Sequence, residues 1–474
     1  MIIEQIYTGC LAQGAYYIES NGEVAIIDPL REVQNYIDKA NKNNANIKYI
    51  FETHFHADFV SGHVTLAEKT NAKIVFGPSA KTNFDSVIAK DNEVFKLGDI
   101  TITVLHTPGH TMESSCFLLK DKNGKDYALF SGDTLFLGDV GRPDLAQKGT
   151  LTEKDLAGFL FDSLRNKIMT LEDNVIVYPA HGAGSACGKN LSKETVGTIG
   201  NQKESNYALR ANMTKEEFIN EVTDGLLPPP AYFPLNVKLN KEGYKSIDDV
   251  LKNSVKPLSV KDFENTANKT NAIILDVRHQ TEFVKGFIPQ SIFIGIDGGF
   301  APWVGALIKD INQPILLITP QGSEEDTITR LSRVGFDNVL GYLEGSFDTW
   351  KNAGKEIDTL ISVSANVLED KIKANFNKLS SGLVFDVRKP GEYTSEHIKV
   401  AESTPLDFLN NHIAEFPKNK PFYIHCAGGY RSVIAASILK ARGFHNVIDV
   451  AGGYAAIRNT NIERTTAVCP STLK

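Results

Sequence analysis

No stretch of this sequence approaches the unbroken apolar length that a membrane-spanning helix needs, so no membrane partner is expected. Excess basic charge is missing as well. Lys and Arg number 50 against 57 Asp and Glu, a formal net charge of −7, and this leaves no basic stripe for nucleic acid or an anionic membrane surface. Cysteine is sparse: Cys10, Cys116, Cys187, Cys426 and Cys469 are odd in number and widely scattered. That pattern excludes a disulfide framework and fits free thiols in a reducing cytoplasm. The opening residues 1–7 alternate apolar and polar, with neither a basic region nor a long apolar one, so no secretory signal is expected. A cytoplasmic protein acting on small molecules is the reading these absences leave.

What is present is a chain of 474 residues, 42% hydrophobic and 23% charged, ordinary for globular protein and long enough for several cores. Over residues 1–103 the pattern alternates short β-branched strands (24–28, 47–51, 73–76, 100–105) with one helical stretch, 33–43. Polar clusters follow four strands: His54, His56 and Asp58 after 47–51, His110 after 100–105, Asp133 after 127–130, and His181 after 175–178. In α/β architectures ligands collect at such strand ends, because loops there vary without disturbing the core. Imidazoles and carboxylates together suit zinc or non-haem iron rather than magnesium or calcium, which prefer all-oxygen shells. Two surface histidines on a polar loop is the blander alternative for His54 and His56.

Composition changes between Gly225 and Pro257, where the proline cluster over 226–234 continues neither a helix nor a central strand. Beyond it lies an internal repeat. Ala272-Ile-Ile-Leu-Asp276-Val-Arg278 recurs as Gly382-Leu-Val-Phe-Asp386-Val-Arg388, a spacing of 110 residues, too long for a solenoid and right for two copies of one domain. Each copy continues with a strand, a loop and a helix, the order of a parallel sheet covered on both faces. The expected organisation is a first domain over 1–230, a linker over 231–258, and the two copies over 259–357 and 358–474.

The last copy contains Ile424-His-Cys426-Ala-Gly428-Gly429-Tyr-Arg431, a strand, a glycine-rich loop and a helix start. Cys426 should face the amides of its own loop and the positive end of that helix, which stabilise a thiolate and a bound anion. The middle copy has Thr-Pro-Gln-Gly-Ser-Glu324-Glu325-Asp326 there instead. It offers no cysteine, and its acidic residues stand where an anion would sit, so thiol chemistry on a bound anion is not expected of it.

The clusters of the first domain match, in order, the metallo-β-lactamase superfamily. Thr-His54-Phe-His56-Ala-Asp58, Thr-Pro-Gly-His110-Thr, Ser-Gly-Asp133-Thr, Gly141-Arg142-Pro-Asp-Leu145 and Pro-Ala-His181-Gly-Ala-Gly-Ser-Ala-Cys187-Gly188 resemble more specifically the persulfide dioxygenases. That resemblance implies an αββα sandwich and a single Fe(II) per chain, held by His54, His110 and Asp133. His56, Asp58 and His181 would stand behind the ligands and orient them. Many superfamily members hold two zinc ions with a histidine directly after the loop aspartate. Here that position is Phe59, whose ring donates nothing to a metal. By the same resemblance Arg142 should face the substrate and grip a carboxylate of the thiol carrier. Cys187 would supply a thiol at the mouth of the iron site, or merely a small residue in a glycine-rich loop.

The Cys426 loop, with Asp386 and Arg388, resembles rhodanese. Cysteine phosphatases use a related loop one residue longer, and the smaller ring favours sulfur over phosphate. Cys426 and Arg431 would act in catalysis, with Gly428 and Gly429 lining the bound anion. Both copies should be doubly wound α/β domains of this type, the middle one inactive. The whole reads as an iron persulfide dioxygenase fused to a sulfurtransferase, with a small persulfide, dioxygen, sulfite or thiosulfate as partners, and the resemblance suggests a homo-oligomer. The rivals are a dizinc thioester hydrolase like glyoxalase II and a non-catalytic sulfur carrier. Cys10, Cys116 and Cys469 carry no motif and are read as packing or terminal residues.

Overall fold

The computed structural model describes residues 1–146, 151–189, 191–374 and 383–468. Gly382 of the repeat and Cys469 lie outside the described residues. Internal contacts divide the chain into two units, Met1–Val250 with Leu331–Gly335, and Leu251–Arg330 with Phe336–Lys474. Among the described residues no helix is long and apolar enough to cross a membrane.

Period-two alternation builds the first unit. Along the strand Gln13–Ser20, Tyr16 and Ile18 enter a core shared with Phe51, Val104, Phe117 and Phe130. Their neighbours Ala15 and Tyr17 point the other way, to Tyr36 and Ala40 of the helix Gln34–Lys42 and Leu66 of the helix His63–Thr70. The strands from Ile2–Thr8 to Val87–Ile88 form one six-stranded sheet in chain order. Those from Val94–Leu97 to Gly197–Thr198 form a second, again in chain order. The outer face of the second sheet, through Leu105, Leu118, Leu129 and Val177, is covered by Ala157 and Leu160 of the helix Glu153–Ser163. The order of layers is therefore helix, sheet, sheet, helix, the expected αββα sandwich. Burying each large apolar side chain in such a core is worth roughly 1.5–3 kcal/mol.

The stretch 231–258 is not a bare linker. Pro234 sits in the first turn of a helix, Phe233–Glu242, where its missing N–H costs nothing, and a second helix covers Ile247–Ser254. The first of these belongs to the first unit and buries Asn236 and Asn240 completely.

Two five-stranded parallel sheets make up the second unit. In the middle copy the order is Pro257–Leu258, Val339–Leu343, Ile315–Ile318, Ile273–Asp276, Ile292–Phe293. In the last copy it is Ile361–Val363, Val447–Val450, Phe422–His425, Val384–Asp386, Ala401–Ser403. The two orders correspond strand for strand, as the repeat requires. The Asp-Val-Arg motif does the same job in both: Arg388 folds back on Asp386 through Nε and Nη2 at 2.9 and 2.6 Å, and Arg278 does so on Asp276 at the same distances. Each guanidinium also lies over an aromatic ring, Tyr454 or Phe347. Its presence in the copy without a cysteine marks this motif as a lock on the strand end.

Candidate metal centre and thiol loops

In the first unit the strand Asn46–Glu52 delivers His54, Ile100–His106 delivers His110, and Asp126–Gly132 delivers Asp133. Their donor atoms lie within 4.8 Å of one another and all three residues are buried. His54 Nε2 and His110 Nε2 approach the same oxygen, Asp133 Oδ2, at 3.8 and 3.4 Å. Gly132 lets this happen: its φ is +53°, and a Cβ there would stand 2.6 Å from the Thr53 side chain.

Hydrogen bonds behind the rings fix which nitrogen is free. The Thr53 hydroxyl spends its one proton on Asp28 Oδ2 at 2.9 Å, so at 3.0 Å from His54 Nδ1 it accepts. His54 therefore carries its proton on Nδ1 and turns the Nε2 lone pair inward. His110 Nδ1 donates to the Arg142 carbonyl at 2.9 Å with the same result, and His181 Nδ1 donates to the Ala12 carbonyl at 3.2 Å. Burial, then the nearby His56, His110 and His181, pushes the His54 pKa well below its usual value, as a neutral ligand requires. Both oxygens of Asp133 and Nε2 of His181 are buried without a hydrogen-bond partner. Orphaned acceptors of this kind, gathered in one place, fit a cation.

His56, Asp58 and His181 gather as a second trio beside the first, but His56 is engaged from behind. Its Nε2 lies 3.1 Å from Asp28 and 3.4 Å from Glu52. Burial works to discharge the ring, and the Asp28 and Glu52 carboxylates outweigh it, holding the His56 pKa well above its ordinary value. Phe59 stacks on the same ring, centroids 4.3 Å apart, so the position that lacks a donor is filled by packing.

In the second unit Cys426 ends the strand Phe422–His425 and is 1% exposed. One loop amide, Gly429 N–H, donates to its Sγ at 3.1 Å. Arg431 pairs with Glu392 through Nη1 and Nη2 at 2.6 and 2.9 Å. A cavity of about 440 Å³ adjoins the loop at Ala427, between Arg388, Glu392, Tyr454 and Arg458. The strand register shows what the middle copy has done. Asp386 pairs with His425 and Asp276 with Ile318, which makes Thr319 the counterpart of Cys426 and Glu324 the counterpart of Arg431. There Gly322 N–H donates to Glu324 Oε1 at 3.1 Å, and the Thr319 hydroxyl reaches the same oxygen at 3.3 Å. The amide that faces sulfur in the last copy faces the chain's own carboxylate in the middle one.

Residues 8–181 match the metallo-beta-lactamase superfamily, and residues 259–353 and 364–460 each match the rhodanese-like domain. The crystal structure of a metallo-beta-lactamase from Staphylococcus aureus subsp. aureus COL is 31% identical, with 72% of this chain and 98% of that chain covered at a TM-score of 0.64. The chain belongs to the metallo-beta-lactamase superfamily, fused to two rhodanese-like domains. Curated relatives of the chain are named hydroxyacylglutathione hydrolases. A probable one from Schizosaccharomyces pombe is 32% identical over 34% of this chain, and a cytoplasmic one from Arabidopsis thaliana is 34% identical over 28%. The chain spans 60% and 53% of their lengths.

Within the metallo-beta-lactamase unit one expectation is corrected. Arg142 is 7% exposed and does not open toward a substrate. Its Nε and Nη2 grip Asp144 at 2.6 and 2.7 Å, and Nη2 also donates to the Leu227 carbonyl. A fork already closed on its own turn has no pair of donors left for a foreign carboxylate. Its service to the site runs through the backbone, by the carbonyl that orients His110. Cys187 does reach the centre, its sulfur within 4.8 Å of donor atoms of Asp133 and His181. Burial, then Asp58 and Asp133, pushes this thiol well above its usual pKa, so it stands there as a neutral S–H.

Sequence reasoning missed the groups behind the ligands. Asp28 takes the Thr53 amide and hydroxyl at 2.8 and 2.9 Å as well as His56. Glu52 meets His63 at 3.2 Å and the Ser61 hydroxyl. Asn240 clamps the loop itself, donating to the His56 and Phe59 carbonyls at 2.8 Å each and accepting from Ser61 N–H at 2.9 Å. Replacing Asn240 with Leu keeps the volume and strands three buried backbone groups. We expect a loss of about 2–4 kcal/mol from the stability of the first unit and a weaker hold on metal. Thermal unfolding with and without added metal checks this; an unchanged midpoint in both would return Asn240 to packing.

Proposed function

We propose that this chain oxidises a low-molecular-weight thiol persulfide to sulfite at one iron(II) in the metallo-beta-lactamase unit, and transfers sulfane sulfur at Cys426 in the last rhodanese domain. The observation that carries this reading is the three-donor face of His54, His110 and Asp133, set apart from a His56 that is engaged by Asp28 and Glu52 and capped by Phe59. Iron(II) held by these two imidazoles and one carboxylate would supply the chemistry that joins a sulfur anion to dioxygen. The chain's own part is to keep both Nε2 lone pairs inward, through Thr53 and the Arg142 carbonyl, and to enclose the centre in buried side chains that keep bulk water out. In the overall reaction the outer sulfur gains both atoms of dioxygen and one oxygen from water, and the thiol departs.

At Cys426 the thiolate attacks the outer sulfur of thiosulfate. A new S–S bond forms, the old one breaks, and sulfite leaves with its electron pair. Gly429 N–H, already aimed at Sγ, holds the thiolate from which the attack starts. Run backwards with sulfite from the first unit, the same exchange yields thiosulfate.

The relatives named hydroxyacylglutathione hydrolases support a second reading, a thioester hydrolase with two zinc ions that also uses His56, Asp58 and His181. Metal analysis and oxygen uptake on the same preparation separate the two. About one iron per chain, with oxygen consumed on addition of glutathione persulfide or another small persulfide, is the expected result. About two zinc ions per chain and thioester hydrolysis without oxygen uptake would overturn it. Absence of any turnover would leave a sulfur carrier working through Cys426.

A further inference from the structure

The helix Tyr430–Ala441 begins on the residue after Gly429, the glycine whose amide faces Cys426 Sγ. Tyr430 turns away from that sulfur and into the middle copy. Its hydroxyl donates to the Gly295 carbonyl at 2.6 Å, and its ring meets Phe293 edge-on, centroids 5.9 Å apart with the planes at 72°. The backbone at Gly298 runs directly against the ring: a Cβ there would stand 2.3 Å from Tyr430 Cζ and 2.6 Å from both Cε atoms. Only glycine leaves the space. Two turns further along the same face of the helix, Ser437 Oγ accepts from the buried Phe293 N–H at 3.0 Å. All these residues belong to one compact unit. The counterpart of Tyr430 in the middle copy is Ser323, so the contact is not something both copies inherit from the shared fold.

We propose that the middle rhodanese-like copy, which has no thiol, is a positioning element for the thiol loop of the last copy: its segment from Phe293 to Gly298 clamps Tyr430 and Ser437 and thereby sets the Gly429 amide on Cys426 Sγ. This rests on the reading of Cys426 as a sulfur-transfer thiol. Tyr430 touches neither the sulfur nor the cavity beside it, and acts through the helix start and the glycine before it. A helix whose first residue is pinned from outside cannot rock away from the sulfur when the charge on it changes. An amide aimed at a reacting atom loses most of its value when displaced by about an ångström.

The test uses the full chain and four variants: Gly298→Ala, Tyr430→Phe, Tyr430→Ala, and the first and third combined. Two quantities are read, the rate of iodoacetamide labelling at Cys426, resolved by mass spectrometry, and kcat/KM for thiosulfate. Gly298→Ala drives a methyl group into the ring and is expected to slow both by roughly tenfold, although it lies in a domain without a thiol. Tyr430→Phe keeps the ring and should stay within about threefold of the parent, as loss of one hydrogen bond implies. In the Tyr430→Ala background the new methyl meets no ring, so adding Gly298→Ala should cost nothing further. Labelling and turnover of Gly298→Ala both within twofold of the parent would overturn the proposal. So would a Gly298→Ala effect undiminished in the Tyr430→Ala background, since that marks general damage to the middle copy. If Gly298→Ala does not fold, Tyr430→Ala decides alone: the same loss supports the clamp and parental values remove it. Should the parent show no thiosulfate turnover, the sulfurtransfer reading falls, and the labelling rates still judge the clamp.

Discussion

Asp133→Ala is expected to strip the metal from the chain and abolish oxygen uptake while thiosulfate sulfurtransfer persists. The carboxylate is the common neighbour of both imidazoles, 3.8 Å from His54 Nε2 and 3.4 Å from His110 Nε2, and the sole anionic member of that trio. Without it two imidazoles remain, and the trio offers a cation no anionic ligand. Loss of a group that merely orients a ligand already costs about 10- to 100-fold in metal affinity; removal of the ligand itself should cost more. Sulfurtransfer is spared because Cys426 belongs to a different unit with its own core. Metal content by mass spectrometry, oxygen uptake with a small persulfide, and thiosulfate turnover are measured on one preparation. Full metal occupancy in the variant would remove Asp133 from the site.

Cys426→Ser should produce the mirror image. An alcohol of nearly the same shape keeps the loop, but its far higher pKa leaves no anion at neutral pH, and oxygen cannot carry the sulfane sulfur as a persulfide does. Thiosulfate turnover should fall to background while oxygen uptake continues. Given a small persulfide and oxygen, the variant should accumulate sulfite where the parent converts part of it to thiosulfate. The ratio of the two products, after subtracting the uncatalysed reaction of sulfite with persulfide, is the decisive number. Equal thiosulfate from parent and variant would show that the two chemistries are not linked through this thiol.

The layers of the first unit and the two parallel sheets were legible because each follows from a local period. The expected strand 73–76 is the observed Lys73–Phe76, and the expected helix 33–43 is Gln34–Lys42 within a residue at each end. His54, His110 and Asp133 were legible as candidates because polar residues directly after apolar strands are conspicuous. Asp28 and Glu52 were not, since a lone acid at the end of a strand looks like any solvated one; only the fold reveals that both are buried and turned on His56. Asn240 was hidden for another reason: the prolines before it suggested a linker, and four residues separate it from Asn236, a spacing that marks one helix face only once a helix is granted. Arg142 was placed in the right turn but aimed wrongly, because sequence order does not show that Asp144 closes on it.

The loop of the middle copy also bears on what a thiol placed there would meet. Thr319→Cys alone would set a thiolate beside the Glu324 carboxylate, in the position where the last copy carries Arg431, and like charges so close disfavour the ionised form. Glu324→Arg alone would take away the acceptor that Gly322 N–H and Thr319 now share and would give the cradle nothing to hold. Neither single step confers a benefit, and the second takes from the Thr319 hydroxyl and the Gly322 N–H the acceptor they share. A loop like that of the last copy would therefore need both changes together.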